Sequence, residues 1–123
     1  KQIRFIDHCK NMALAYKVSD IIVSASNEPE AFGRVSVEAQ SMGKPIIASN
    51  SVRSNETDKN KKTGFLFESN NAKSLSKQIL RVLNMDETSL KTIGIEARKN
   101  ATQRFNVEKM CFSTYSEYKR LLN

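Results

Sequence analysis

The chain has 123 residues, with 20 Lys plus Arg against 13 Asp plus Glu, a formal net charge of +7, no Trp and two Cys. This is the length of a single domain; Cys9 and Cys111 stand too far apart for a zinc-type pair or a disulfide framework, which favours a reducing, cytosolic setting, and no apolar run approaches the roughly 18 residues that span a bilayer. The charge is not gathered into a block: residues 1–70 carry 10 basic and 8 acidic side chains and residues 71–123 carry 10 and 5, while Lys and Asn together supply 24 of the 123, so a compositional bias accounts for much of the surplus.

No charged-then-apolar leader opens the chain, and an apolar run begins almost at once, so it is expected to be the C-terminal part of a longer protein. Residues 3–6 have the length and apolarity of a buried strand. Met12, Ala13, Ala15, Tyr16 and Val18 predict a short helix ending near Ser19-Asp20, and the β-branched run 20–24 predicts a second strand. After a polar stretch in which Pro29 bars a continuous helix, Val35, Val37, Ala39 and Met42 predict a helix over 32–42, stopped by Gly43. Residues 45–49 then predict a third strand, the Lys-rich stretch 50–63 a loop, and 64–67 a short strand. Three helices follow, at 72–83, 87–104 and 107–122. Strands alternating with helices, without hairpin signals in the first 50 residues, predict an α/β fold: a parallel sheet with helical crossovers.

In open α/β sheets ligands sit at the carboxyl ends of the strands, where a helix N-terminus offers unpaired N–H groups and partial positive charge to an anion. Residues 24–38 occupy that place after the second strand, and Gly33, lacking a β-carbon, lets backbone and ligand approach closely. Glu30 and Glu38 are eight residues apart, a rise of about 12 Å if both were helical, too far to share a proton or a metal. Carboxylates accept hydrogen bonds, so beside a phosphate they suit hydroxyl groups. A diol at each end with phosphates between is the shape of a nucleoside diphosphate sugar. Many solvated helices carry two glutamates at this spacing, so on spacing alone both readings stand.

Glu30-x-Phe32-Gly33-Arg34-Val35-x-Val37-Glu38-Ala39, followed by Met42-Gly43-Lys44-Pro45-Ile46-Ile47-Ala48-Ser49, closely resembles the donor-site signature of retaining glycosyltransferases of family 4, often called group 1. Tyr16-x-x-x-Asp20-Ile21-Ile22-Val23-Ser24 resembles the helix and strand before that signature; Glu56 with Thr63-Gly64-Phe65-Leu66-Phe67 resembles the loop and strand after it, and Arg104-Phe105 the end of the penultimate helix. The resemblance implies a GT-B architecture, two Rossmann-like domains facing a cleft, with residues 1–123 forming most of the C-terminal domain that binds the nucleotide sugar. It implies that Glu38 holds the ribose hydroxyls, that Glu30 contacts the transferred sugar, and that backbone amides around Phe32, Gly33, Arg34 and Val35 meet the sugar and diphosphate. It implies no metal or other cofactor, and catalytic residues, diphosphate-clamping cations and an acceptor domain upstream of Lys1. The isolated chain is therefore expected not to transfer sugar.

The partners implied are a nucleoside diphosphate sugar donor, the N-terminal GT-B domain, and a saccharide or lipid-linked acceptor, with peripheral contact at the inner face of the membrane; no nucleic acid is expected. Cell-envelope polysaccharide assembly is a common task of bacterial members of the family. Two departures from the pattern stand out. Arg53-Ser54 replaces a frequent Gly-Gly pair, and Asp7-His8 follows the first predicted strand where many members have Gly. His8 is read as a loop residue. Arg34 either reaches a phosphate or points to solvent. Ser24 and Ser26 have no His or Asp partner that would make either a nucleophile. Met110, Tyr115, Tyr118, Leu121 and Leu122 form an apolar stripe on the last helix, expected to pack into the core. The rival reading is a non-catalytic α/β module that binds a polyanion or membrane surface through Lys73, Lys77 and Arg81.

Overall fold

The computed structural model describes residues 2–28, 32–50 and 62–122. Its elements in chain order are α1 (Met12–Val18), β1 (Ile22–Ser24), α2 (Arg34–Ser41), β2 (Ile46–Ser49), β3 (Phe65–Phe67), α3 (Ala72–Leu83), α4 (Glu87–Arg104) and α5 (Val107–Leu122). The strands form one sheet in the order β1-β2-β3, with both pairings parallel.

The central strand explains the sequence pattern best. All four residues of β2 are buried, as a strand flanked on both edges and covered on both faces must be. Ile46 and Ala48 face one way, toward Tyr16 of α1 and Ala39 of α2. Ile47 faces the other way, with Phe65, Phe67, Val82 of α3 and Ile93 of α4. The alternation of side chains along the strand thus builds two apolar layers, and helices cover both faces of the sheet.

Capping residues set the helix starts. Asn11, Asn71 and Asp86 each accept a bond from the backbone N–H three residues on, at 3.1, 2.9 and 2.8 Å, which satisfies one of the donors orphaned at a helix start. At Asp86 the bonds from Ser89 hold the carboxyl below its usual value of 3.8. The end of α2 is a Schellman turn: the N–H of Gly43 bonds the carbonyl of Gln40 at 2.9 Å and that of Lys44 bonds Ala39 at 3.0 Å. Gly43 has φ +66°, a left-handed conformation that other residues adopt at a cost.

A close approach fixes α4 against the end of α2. A β-carbon added to Gly94, midway along α4, would fall on the carbonyl oxygen of Gly43. Further along the same pair of helices, the side-chain amide of Asn100 donates to Gln40 Oε1 at 2.8 Å, with both residues buried. This crosslink joins positions sixty residues apart in sequence.

Two expectations fail. Residues 3–6 are not a strand; Ile3, Phe5 and Ile6 are exposed, Phe5 at 97%. A strand exists only by pairing, and none of the described strands pairs with this run. The stripe on α5 is not core either, since α5 has no buried residue and Met110, Tyr115, Tyr118, Leu121 and Leu122 are all exposed. Helix α5 begins after the break at Phe105-Asn106, and its periodicity makes it helical without burying the stripe. Of the stretch 50–63 expected to be a loop, residues 51–61 lie outside the described residues. No described helix is long and apolar enough to cross a membrane.

Candidate functional site

The start of α2 follows the carboxyl end of β1, the side of a parallel sheet where ligands bind. Gly33 precedes the helix at φ 72° and ψ 51°, and no side chain caps it. The first turn holds no carboxylate. Among the described residues, the N–H groups at this end therefore have neither a capping side-chain oxygen nor a first-turn carboxylate beside them, the setting that suits an anion. The helix begins two residues later than the sequence pattern predicts, so the helical rise between Glu30 and Glu38 does not apply. Glu30 itself, like Glu56, lies outside the described residues.

The flanking side chains divide by role. Val35 packs against the apolar layer of Tyr16, Ala39, Ile46 and Ala48. Phe32 is half exposed and meets the ring of Phe105 edge-on, with centroids 5.4 Å apart and planes at 84°. The guanidinium of Arg104 in turn lies over the Phe105 ring at 4.9 Å. The C-terminal end of α4 thus holds the residue just before the Gly33 turn. Phe32 and Val37 also form one wall of a mostly apolar cleft of about 930 Å³, whose other wall includes Val107, Met110 and Phe112.

Glu38 is gripped at both oxygens. Its Oε1 accepts from Arg34 Nη2 at 3.0 Å, one helical turn earlier, and its Oε2 accepts from the Tyr16 hydroxyl at 2.8 Å. The two partners differ in setting: the Arg34 side chain is 82% exposed, whereas Tyr16 is only 5% exposed. Burial, and then the hydrogen bond and charge of Glu38, push the Tyr16 hydroxyl up to about 12, against an opposing influence of Arg34. Tyr16 is therefore a neutral donor throughout the physiological range. Met12, Ala13, Ser41 and Met42 complete a cavity of about 300 Å³ around this trio.

Of the residues singled out in the sequence, Phe32, Gly33, Arg34, Val35 and Glu38 come together at the helix start. Arg34 meets neither of its two expectations alone, because it is exposed and also paired with Glu38. Ser49 Oγ donates to the carbonyl of Ser26 at 2.7 Å, tying the loop after β1 to the central strand. His8 is exposed in an irregular segment, as expected of a loop residue. Among the described residues no group of three or more His, Cys, Asp or Glu is placed to hold a metal ion. Sequence reasoning missed Tyr16 as part of the site. Beyond its place in the family-like stretch 16–24, the signal was chemical: a tyrosine on a buried stripe needs a partner for its hydroxyl.

The profile of the family described as "Glycosyl transferases group 1" matches residues 1–100. The chain belongs to the group 1 glycosyltransferases. It is 33% identical over 110 residues to the capsular polysaccharide biosynthesis glycosyltransferase CapM of Staphylococcus aureus, a match that covers 83% of the chain and 29% of CapM. Among solved structures it is similar to a glycosyltransferase from Rickettsia africae ESF-5, with 39% identity and a TM-score of 0.84 over 89% of the chain and 29% of that protein. It is likewise similar to Anabaena HepE in complex with UDP-glucose, at 28% identity and a TM-score of 0.81 over 86% of the chain and 29% of HepE. The transferase chain thus spans less than a third of the length of these relatives. Its parallel sheet with helices on both faces is the architecture of GT-B C-terminal domains, as the family resemblance implied.

Proposed function

We propose that residues 1–123 form the donor-binding part of a glycosyltransferase that takes a nucleoside diphosphate sugar and transfers the sugar with retention of configuration. The diphosphate lies at the amides of Gly33, Arg34 and Val35, the ribose hydroxyls meet Glu38, and Glu30 meets the transferred sugar. The observation that carries this reading is the uncapped, carboxylate-free start of α2 behind a left-handed Gly33, with the Glu38 carboxylate one turn further along. The helix end suits an anion, and the acceptor-only carboxylate suits hydroxyls. Support also comes from HepE, whose similar domain belongs to a protein solved with UDP and with UDP-glucose.

Loss of a diphosphate leaving group builds negative charge, which aimed cations stabilise. In this reading, as the family resemblance implies, the cations that serve departure belong to the rest of the protein, and the domain alone binds donor without turnover. The acceptor is a saccharide or a lipid-linked saccharide, in keeping with the capsular polysaccharide role in the name of CapM. Work in the cytoplasm, at or near the membrane, fits the two unpaired cysteines, Cys9 and Cys111. The polyanion reading is less well supported, because the guanidinium of Arg81 lies 5.4 Å over the Phe65 ring instead of standing free beside Lys73 and Lys77.

A thermal-shift panel of nucleotide sugars on the full-length protein tests the proposal, since the cognate donor stabilises by mass action. Glu38→Ala is expected to weaken the cognate donor by roughly tenfold or more. An unchanged shift with that variant, or a loss that follows Lys73 and Lys77 instead, would sink the assignment.

A further inference from the structure

Resting on the reading of Glu38 as the ribose-binding carboxylate, we infer that Tyr16 is a positioning residue for it: the buried hydroxyl pins Oε2, while the exposed Arg34 occupies Oε1 only until a ribose hydroxyl takes its place.

The asymmetry between the two partners supports this division. Tyr16 sits in the apolar layer with Ala39, Ile46 and Ala48, so its ring is held by packing and its hydroxyl has a fixed position. The bond it donates, 2.8 Å to a charged acceptor across twenty-two residues of sequence, ties Glu38 to α1 and so to the sheet. Arg34 is a neighbour on the same helix, with a long and largely exposed side chain whose pairing competes with water and salt. Displacing Arg34 is easy, whereas displacing Tyr16 would strand a buried hydroxyl.

The stereochemistry of a vicinal diol fits what remains. A carboxylate offers about four lone-pair positions over its two oxygens. One ribose hydroxyl takes the place of Arg34 at Oε1, and the other shares Oε2 with Tyr16. A glutamate without the tyrosine would rotate about its terminal torsion, which is broad, and the paired hydroxyls would lose their common edge. Tyr16 therefore acts through Glu38 on the ribose and touches neither the sugar nor the diphosphate. The cavity of about 300 Å³ bounded by Met12, Ala13, Tyr16, Arg34 and Glu38 is where that diol lies.

The test separates the hydroxyl-reading function from packing. UDP, GDP and ADP are each compared with their 2′,3′-dideoxy counterparts on the full-length protein by isothermal titration, and the nucleotide bound best by the wild type is carried forward. Tyr16→Phe keeps the ring and removes the hydroxyl. It is expected to weaken the ribonucleotide roughly tenfold while leaving the dideoxy nucleotide unchanged, so that the preference for ribose collapses. Arg34→Gln is expected to keep that preference at or above the wild-type value. If Tyr16→Phe weakens both nucleotides equally, or neither, Tyr16 only packs and the inference is overturned. If Arg34→Gln abolishes the preference, the exchange at Oε1 is wrong. Glu38→Ala run in parallel distinguishes the premise: a ribose preference that survives its loss overturns the reading of Glu38 itself, whereas collapse with Glu38→Ala but not with Tyr16→Phe overturns the positioning role alone.

Discussion

Helices α2 and α5 both carry apolar residues at helical spacing, yet one is locked against the sheet and α4 and the other has no buried residue. In α2, Ser36, Ala39 and Gln40 are buried, its end is closed by Gly43, and Gly94 and Asn100 of α4 lock against it. Helix α5 presents Met110, Tyr115, Tyr118, Leu121 and Leu122 to the surface. Periodicity makes a stretch helical and gives it a sticky face, but only a facing surface of matching shape turns that face into core. Here the matching surface consists of small residues. Gly94, Ala97 and Ala101 are buried on α4, and such side chains allow helix backbones to come close.

The contrast is open to direct attack. The largest effect is expected from Gly94→Leu, whose side chain must enter space held by the Gly43 carbonyl; a loss of about 3 kcal/mol or more in urea unfolding is expected, and a neutral result would mean that the two helices are not in contact. Next comes Asn100→Ala, which leaves Gln40 Oε1 without this donor in a buried setting and should cost about 2 kcal/mol, read by the same method. A smaller, pH-dependent effect concerns Tyr16. Its hydroxyl titrates at about 12 when folded against an ordinary 10.0. The stabilisation linked to that shift is complete below pH 10 and is lost as the pH rises toward 12, because the unfolded chain releases the proton first. Alkaline unfolding followed by circular dichroism should show this downward slope, and Tyr16→Phe should flatten it. The smallest effect is expected on α5: Leu121→Ser in the 123-residue chain should change stability by less than about 0.5 kcal/mol, and a loss of several times that would place the stripe in a core after all.

The same contrast explains what was legible in the sequence. Features set by local chemistry were readable: the apolar run of β2, the stop at Gly43, and the bounds of α1, α3, α4 and α5 all follow from propensity, capping and period. Features that depend on a distant neighbour were not. Residues 3–6 have the composition of a strand but no described strand beside them, and the α5 stripe has the pattern of a core face but no buried residue. At the candidate site the Gly33 turn was visible as a glycine at a helix entry, and Glu38 as a carboxylate on that helix. The link from Tyr16 to Glu38 was invisible, because no local rule couples a tyrosine on one helix to a glutamate twenty-two positions on. Only the sheet, by setting α1 beside α2, brings the two together.

Gly43 has one further consequence. It closes α2 and also lies against Gly94 of α4, so the rear of α2 is clamped to the same helix whose far end, through Phe105, meets Phe32 just ahead of the front of α2. Any substitution that loosens the Gly43–Gly94 mounting should therefore be felt at Gly33, about ten residues and some 15 Å away along the helix axis, without touching an atom of the Gly33 turn.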